Sequence, residues 1–240
     1  MDVTKIKLVA FDLDGTLTQH KTPLSEAHRK VLEKLSKKYQ LLMVGAGMCR
    51  RIFEQMEHFP IDILGNYGMQ LALYNSETKD IDIVKNVALP CNRESVERRV
   101  TMLRKKYGFT EFAGENVEYH SSGCVTFPIL GTKARQEDKL AFDPDRKKRR
   151  AIYEEVKEVF SDYIVFVGGS SSCDMAPAPY NKAYALGEYC KERGLLPEEV
   201  VFLGDDYGPG GNDESVYCSE FNFLTIDNYL DFPEVVKELL

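Results

Sequence analysis

The 240-residue sequence lacks several features by which a chain can be classified at once. No apolar run reaches membrane-spanning length, and the first residues lack the long apolar core of a signal peptide. The six cysteines are scattered without a Cys-x-x-Cys pair, which argues against a zinc knuckle and favours reduced thiols. The four histidines show no metal-ligand spacing. We therefore expect a soluble, cytoplasmic protein that does not bind membranes.

A net positive charge is also absent. The formal net charge is −7 and the isoelectric point is near 5.3, which argues against whole-surface binding to nucleic acid or to an acidic membrane. Hydrophobic residues make up 43% of the chain, enough for a packed core. The length fits one large domain or two modest ones. A bound cation or a locally basic pocket is compatible with this composition.

Strand and helix patterns alternate at both ends of the chain. "KIKLVAFDL" and "QLLMVGA" are typical of buried strands, and "SEAHRKVLEKLSKKY" between them predicts a helix capped by Ser25. The alternation returns after "APAPYN", where Gly194 fits the end of a helix. This order predicts an α/β domain with a Rossmann-like parallel sheet, formed by residues 1–80 and 179–240.

The middle of the chain has a different pattern. Helical segments such as "RESVERRVTMLRKKYG" alternate with paired short strands such as "YIVFVGG" and "SSCDMAP". Mixed helices and hairpins are typical of an α+β module with an antiparallel sheet. We therefore expect an inserted domain at residues 81–178.

Carboxylates follow two predicted strands of the parallel sheet. "FDLDGTLT" places Asp12 and Asp14 after one strand, and "FLGDDYGPGGND" places Asp205, Asp206 and Asp213 after another. Because the carboxyl ends of parallel strands meet at one edge of a sheet, we expect these side chains to gather in one crevice. Turn or helix capping is the alternative explanation, but two clusters at matching positions favour a site. Such a cluster needs a cation, and an all-oxygen ligand set suits Mg²⁺.

An aspartate beside Mg²⁺ can act on phosphorus. Its carboxylate can form an aspartyl-phosphate when a cation, backbone N–H groups and a lysine offset the charge of the phosphoryl group. A second carboxylate two residues later can protonate the leaving oxygen and then activate water. The expected partner is therefore a small phosphorylated substrate.

These residues resemble the motifs of the haloacid dehalogenase (HAD) superfamily. "FDLDGTLT", the strand that ends near residue 45, Lys182 and "GDDYGPGGND" match its four motifs in order. "GGSSSCDMAPAPYNK" and the long "GPGGND" are most similar to the eukaryotic-type phosphomannomutase branch, whose cap domain is inserted between the second and third motifs. The resemblance implies that Asp12 is the nucleophile, that Asp14 is the acid/base and that Lys182 clamps the phosphate.

The resemblance also implies a metal site and substrate contacts. Asp14 is expected to bind Mg²⁺ through its backbone carbonyl, beside Asp12. Asp205 is implied as the third metal ligand, and Asp213 is expected to support the metal. Asn212 is expected to support the phosphate. Two residues implied to contact a sugar match the cap of this branch, namely Ser172 and Asp174. The related mutases are commonly cap-to-cap dimers, so the resemblance leaves a homodimer as an option.

The second motif departs from this pattern. It normally ends its strand with a Ser or Thr that binds phosphate, whereas "MVGAGMC" places Gly45, Ala46 and Gly47 there. We expect these three residues to bind substrate through backbone N–H groups, including those where the next helix begins. The loss of a neutral hydrogen bond of about 1 kcal/mol predicts a slower enzyme.

The cap departs as well. Ser121 and Thr132 stand where the resemblance would place two phosphate-binding arginines, and Lys139 replaces a third. The basic run "RKKRR" at 146–150 is either a solvated helix face or the source of a replacement cation. The missing arginines favour a Mg²⁺-dependent phosphatase that hydrolyses a sugar phosphate through an aspartyl-phosphate. A phosphohexomutase and a non-catalytic phosphometabolite binder are the alternatives.

Overall fold

Eleven strands and eight α-helices make up the regular structure of residues 1–240, which a computed structural model describes. The strands are β1 (Leu8–Phe11), β2 (Gln40–Val44), β3 (Asp62–Gly65), β4 (Gln70–Asn75), β5 (Asp80–Asn86), β6 (Glu118–Tyr119), β7 (Val125–Pro128), β8 (Tyr163–Phe166), β9 (Ser172–Pro177), β10 (Val200–Gly204) and β11 (Asn222–Thr225). The helices are α1 (Glu26–Leu35), α2 (Cys49–Gln55), α3 (Arg93–Tyr107), α4 (Gln136–Phe142), α5 (Lys147–Val159), α6 (Lys182–Arg193), α7 (Glu214–Tyr217) and α8 (Phe232–Val235). None of these helices combines the length and the apolar character needed to span a bilayer.

The chain divides into two units. The first consists of Met1–Val87, Asn181–Gly208 and Asp213–Leu240. The second consists of Ala88–Tyr180 and Pro209–Asn212. The segment between Gly208 and Asp213 thus leaves the first unit for four residues and then returns to it.

A seven-stranded sheet forms the first unit, in the order β11-β10-β1-β2-β3-β4-β5. The strands from β11 to β3 are parallel, and β4 and β5 are antiparallel. All four residues of β1 are buried, as expected for the centre of a sheet that is covered on both faces. Phe11 is in register with Met43 on one side and Leu203 on the other, so the three strands end at the same level. The predicted Rossmann-like α/β fold is confirmed, and its sheet edge carries the acidic segments.

The predicted boundary at residue 80 is too early by one strand. β5 pairs along β4, with Asp80 opposite Asn75, and therefore extends the sheet of the first unit. The main segment of the second unit begins at Ala88 and ends at Tyr180, whereas the sequence placed it at 81–178. The sequence alone could not assign this hairpin, because β4 and β5 form an antiparallel pair like those of the inserted module.

Capping residues determine where helices α1 and α6 begin and where α6 ends. Ser25 accepts a hydrogen bond from the His28 N–H at 3.2 Å, which fixes the start of α1 as predicted. The Asn181 side chain accepts one from the Tyr184 N–H at 2.8 Å, so α6 begins at Lys182. α6 ends at Arg193 and is capped by Gly194, whose φ of 65° suits a residue without a side chain. The short helices α4 and α7 have no counterpart among the helices predicted from the sequence, and the last helix, α8, has only four residues.

The second unit has an antiparallel sheet in the order β6-β7-β9-β8. Its core contains residues from α3, α5 and the sheet, including Val100, Val156, Phe127 and Met175. This architecture agrees with the predicted α+β composition of the insertion.

The basic run at 146–150 contributes to this second unit. Arg149 is buried and contacts Asp143 at 2.8 Å, with side-chain exposures of 1% and 0%. Its Nη1 donates to the carbonyl oxygens of Gly168 and Ser172 at 2.6 and 3.2 Å. Lys147, in contrast, is exposed and pairs with a neighbouring carboxylate. The run is therefore neither a wholly solvated face nor a set of unpaired cations.

We predict that Asp143→Ala lowers the free energy of unfolding by about 3 kcal/mol or more, because it leaves the Arg149 guanidinium buried without a counter-charge. Urea denaturation measures the change. The matched control is Asp138→Ala, which removes the exposed pair between Asp138 and Arg135 and should leave the midpoint unchanged. Equal stability of the two variants would contradict the prediction.

Candidate active site

A buried lysine joins two carboxylates at the centre of the site. Lys182 has no exposed surface, and its Nζ donates to Asp12 Oδ1 at 2.6 Å and to Asp213 Oδ1 at 2.7 Å. Asp12 directly follows β1, and its N–H donates to the Leu203 carbonyl of β10 at 2.9 Å. A buried ammonium group is costly without counter-charges. Lys182 therefore ties three distant segments of the chain together.

Asp205 completes an acidic trio with Asp12 and Asp213. One carboxylate oxygen from each residue lies within 4.8 Å of the others. Thr16 Oγ1 donates to Asp205 Oδ1 at 3.1 Å, which orients the third carboxylate. Gly15 has a φ of +97°, and a Cβ there would lie 2.6 Å from Asp205 Cγ. The glycine after the second aspartate is thus required by the close approach of the two loops.

The loop after β10 is fixed by reciprocal hydrogen bonds. The Asp206 N–H donates to Asp213 Oδ2 and the Asp213 N–H donates to the Asp206 carbonyl, both at 3.0 Å. A Cβ on Gly204 would lie 2.6 Å from Asp213 Oδ2, so this position also needs a residue without a side chain. Asp213 is fully buried and serves both Lys182 and this loop.

The electrostatics of the trio favour a bound cation. Burial raises the pKa of Asp12 to about 6, although Lys182 opposes the shift. Burial, together with the charges of Asp12 and Asp213, raises the pKa of Asp205 to about 8. Burial acts to lower the pKa of Lys182, but the two carboxylates outweigh it and raise that pKa. Three carboxyl groups face one ammonium group, so a bound cation would favour the ionised form of Asp205, and the oxygen donors of the trio fit Mg²⁺.

Asp14 lies beside the trio but does not join it through its carboxylate. Its Oδ1 accepts hydrogen bonds from the Lys21 N–H and from Gln55 Nε2, each at 2.7 Å. Gln55 also donates to Thr18 Oγ1 at 3.1 Å. Gln55 could not be identified from the sequence, because its contact with Asp14 depends on how α2, of which it is the last residue, is oriented against the sheet. The expected metal contact of the Asp14 backbone carbonyl stays a prediction.

The glycine-rich stretch after β2 is held by backbone contacts. The Gly45 N–H donates to the Leu64 carbonyl at 2.8 Å, and the Gly47 carbonyl accepts from the Asn66 N–H at 2.7 Å. The first amide of α2, on Cys49, donates to Gln70 Oε1 at 3.0 Å. This helix-start donor is therefore engaged within the protein, contrary to the expectation that it holds phosphate. The Gly45 N–H is also engaged within the protein, contrary to its expected contact with substrate, whereas contacts from the Ala46 and Gly47 amides stay a prediction.

The predicted sugar contacts lie in the second unit. Ser172 and Asp174 are both on β9, where Asp174 Oδ1 accepts from Thr126 Oγ1 at 2.9 Å and from Ser172 Oγ at 3.4 Å. His120 Nε2 lies 3.1 Å from Thr126 Oγ1, which extends this polar cluster. Burial raises the pKa of Asp174. Thr126 was not predicted, although it sits opposite Asp174 in the register of β7 and β9.

Other predicted residues of the second unit are engaged locally. Thr132 Oγ1 accepts from the Glu115 N–H at 2.9 Å, and Lys139 Nζ donates to the Thr132 carbonyl at 3.2 Å. Asn212 lies in the four-residue segment that belongs to this unit. Ser121 is exposed. The described bonds of Lys139 therefore stabilise its own unit.

Comparisons with known proteins show what the chain is similar to. A family model described as eukaryotic phosphomannomutase matches residues 28–237. The phosphomannomutase of Encephalitozoon cuniculi is 28% identical over 227 residues, which cover 86% of this chain and 82% of the relative. The phosphomannomutase of Saccharomyces cerevisiae is 26% identical over 242 residues, which cover 97% of this chain and 92% of the relative.

Solved structures share the fold. An IMP-bound, N-terminally truncated IMP-nucleotidase of Plasmodium falciparum has a TM-score of 0.70 at 16% identity, with 98% of this chain and 68% of that chain covered. A phosphatase of the HAD superfamily from Bacteroides thetaiotaomicron has a TM-score of 0.63 at 17% identity, with 98% and 95% covered. At these identities the likeness shows the fold alone, and it confirms the predicted α/β fold.

The preference for hydrolysis must be corrected. The expectation of a phosphatase depends on two positions of the second unit, where Ser121 and Thr132 replace phosphate-binding arginines. The family match nevertheless runs through both positions, and the curated relatives are named as phosphomannomutases. Two substitutions in one unit therefore do not outweigh a match that covers most of the chain, and the mutase alternative is the better supported one.

We predict that Mg²⁺ raises the melting temperature and that Asp205→Asn removes most of this gain. At about a hundred times its dissociation constant, a ligand of the native state adds about 2.7 kcal/mol of stability. Thermal denaturation with Mg²⁺ and with a chelator measures the effect. Asp231→Asn, which removes an exposed carboxylate outside the trio, is the control and should keep the full gain. An equal gain in Asp205→Asn would show that the trio does not hold the ion.

Proposed function

This chain belongs to the eukaryotic phosphomannomutase family, and we therefore propose that it is a phosphohexomutase, which interconverts hexose 1-phosphate and hexose 6-phosphate. The observation that carries the proposal is the contact of Asp12 with the buried Lys182, within an acidic trio that suits a divalent cation. This arrangement supports a phosphoryl-transfer centre, and the family match favours transfer between hydroxyl groups over transfer to water.

Asp12 is the proposed nucleophile. With a pKa of about 6, its carboxylate is largely ionised at neutral pH and can attack phosphorus. Lys182 binds Oδ1, which holds the carboxyl group in one orientation and leaves Oδ2 for the attack. A bound Mg²⁺, held by Asp12, Asp205 and Asp213, would offset the charge of the incoming phosphoryl group.

Asp14 is the proposed acid and base. When the bond between phosphorus and the substrate oxygen breaks, Asp14 gives its proton to that oxygen while Asp12 forms the new bond. In the reverse direction, Asp14 takes the proton from a hexose hydroxyl that attacks phospho-Asp12. Gln55 and the Lys21 N–H hold the Asp14 carboxylate in place.

Mutase chemistry uses these steps twice. Phospho-Asp12 gives its phosphoryl group to the free hydroxyl of a hexose monophosphate, which forms a hexose bisphosphate. The other phosphoryl group of the bisphosphate then returns to Asp12, and the isomeric monophosphate leaves. A hexose bisphosphate therefore acts as the activator that first loads Asp12.

The polar cluster of β7 and β9 is the proposed sugar contact. Ser172, Asp174 and Thr126 offer hydroxyl and carboxylate groups suited to a polyhydroxylated ligand. Ser121 and Thr132 cannot bind a second phosphate as arginines do, so its recognition must use other groups. A cytoplasmic location and a homodimer stay predictions, and no step above depends on them.

We predict that the protein converts mannose 1-phosphate into mannose 6-phosphate when Mg²⁺ and a hexose 1,6-bisphosphate are present. Asp12→Asn should abolish the conversion, because an amide is not a nucleophile for phosphorus. Phosphorus NMR separates the two monophosphates from inorganic phosphate. Asp231→Asn is the matched control and should retain activity. Release of inorganic phosphate without isomer formation would refute the mutase assignment, and the absence of both products would favour a binding protein.

A further inference from the structure

The guanidinium group of Arg51 lies directly over Gly47. A Cβ on Gly47 would be 2.6 Å from Arg51 Nε and 2.8 Å from its Cζ, so a side chain there would require the guanidinium group to move. Gly47 does not have a positive φ, so its backbone conformation does not require a glycine. The observed position of the Arg51 guanidinium group therefore depends on the absence of a side chain at residue 47.

Gly47 and Arg51 lie at the edge of the sheet where Asp12 and Asp14 follow β1. β1 and β2 are parallel neighbours with Phe11 opposite Met43, so the loop that carries Gly47 starts level with the loop that carries Asp14. Arg51 Nη1 is 3.6 Å from Asp14 Oδ2. Arg51 thus brings a permanent positive charge to the segment where the second motif has no hydroxyl group.

Arg51 is available to a ligand. Its side chain is 46% exposed, and Nη1 donates to Gln55 Oε1 at 2.8 Å. A guanidinium group has five N–H donors in a planar fork that matches two oxygens of a phosphoryl group. Arg50, the preceding residue, is similarly exposed but pairs with Asp80 instead.

Stabilising the Asp14 carboxylate does not by itself account for the position of the Arg51 guanidinium group. Asp14 Oδ1 already accepts two hydrogen bonds at 2.7 Å, from the Lys21 N–H and from Gln55. The 3.6 Å separation from Arg51 is longer than a hydrogen bond. The guanidinium therefore has donors to offer beyond its interaction with Asp14.

We propose that Arg51 binds the phosphoryl group of the substrate and that Gly47 is glycine because any side chain there would displace the guanidinium. The proposal rests on the proposed function, since it concerns the same site. Arg51 then takes over the role of the absent hydroxyl with a charged, two-pronged contact. The substrate class that this contact recognises is a phosphomonoester dianion.

The first test measures the binding of inorganic phosphate to the full chain by calorimetry, with Mg²⁺ present. Arg51→Gln should weaken binding by about tenfold or more, because it removes a charge-assisted contact. The matched control is Arg50→Gln, which should bind as the unaltered chain does. Equal affinity of Arg51→Gln and the unaltered chain would overturn the proposal.

Two further variants separate anion binding from a structural role. Gly47→Ala should weaken phosphate binding in the presence of Arg51, and it should cause no further loss when combined with Arg51→Gln. In an Asp14→Asn background, Arg51→Gln should still weaken binding by a similar factor. Loss of the Arg51 effect in that background would show that Arg51 acts through Asp14, and unchanged binding in Gly47→Ala would show that its position over Gly47 is irrelevant. Either result would overturn the proposal.

Phosphate binding also distinguishes this proposal from the proposed function. If Arg51→Gln weakens phosphate binding while the unaltered chain forms no hexose isomer, the mutase assignment fails and the Arg51 site stands. If the unaltered chain is a mutase and Arg51→Gln binds phosphate normally, the Arg51 proposal alone fails.

Discussion

The contact of Lys182 with Asp12 and Asp213 is the interaction on which the site depends. It places one ammonium group, without solvent, between carboxylates from the ends of β1 and of the loop after β10. A buried carboxylate is costly without a counter-charge, and the buried lysine would be costly without the carboxylates. The trio sets three carboxyl groups against one ammonium group, and a bound cation would favour the ionised form of Asp205.

Much of the fold could be predicted because its pattern is local. Alternating buried strands and amphipathic helices indicated the parallel sheet, and the caps Ser25 and Gly194 lie where the sequence placed them. The boundary at β5 could not be predicted, because an antiparallel hairpin can extend a mixed sheet or begin a new one with the same sequence pattern. Short helices such as α4 and α7 have too few turns for a clear hydrophobic period.

Site residues that follow the ends of strands could be predicted from the sequence. Site residues whose role depends on the direction of a side chain could not. Asp12 and Asp205 follow adjacent strands, so topology alone brings them together. Gln55 and Arg51 lie on α2, and their approach to Asp14 depends on how that helix is rotated against the sheet. From the sequence alone, the glycine-rich second motif lacks a phosphate-binding group, because the pattern of residues does not reveal that the Arg51 guanidinium group lies next to Gly47.

The partners of Asp12 are encoded far downstream of it. Lys182 is 170 positions away, and β10, which flanks β1, spans Val200–Gly204. While the ribosome is still making the inserted unit, the emerging polypeptide has neither the counter-charge nor the neighbouring strand that Asp12 requires. Such long sequence separations delay assembly during folding. A nascent or prematurely terminated chain therefore carries Asp12, the proposed nucleophile, without the residues that surround it in the folded protein.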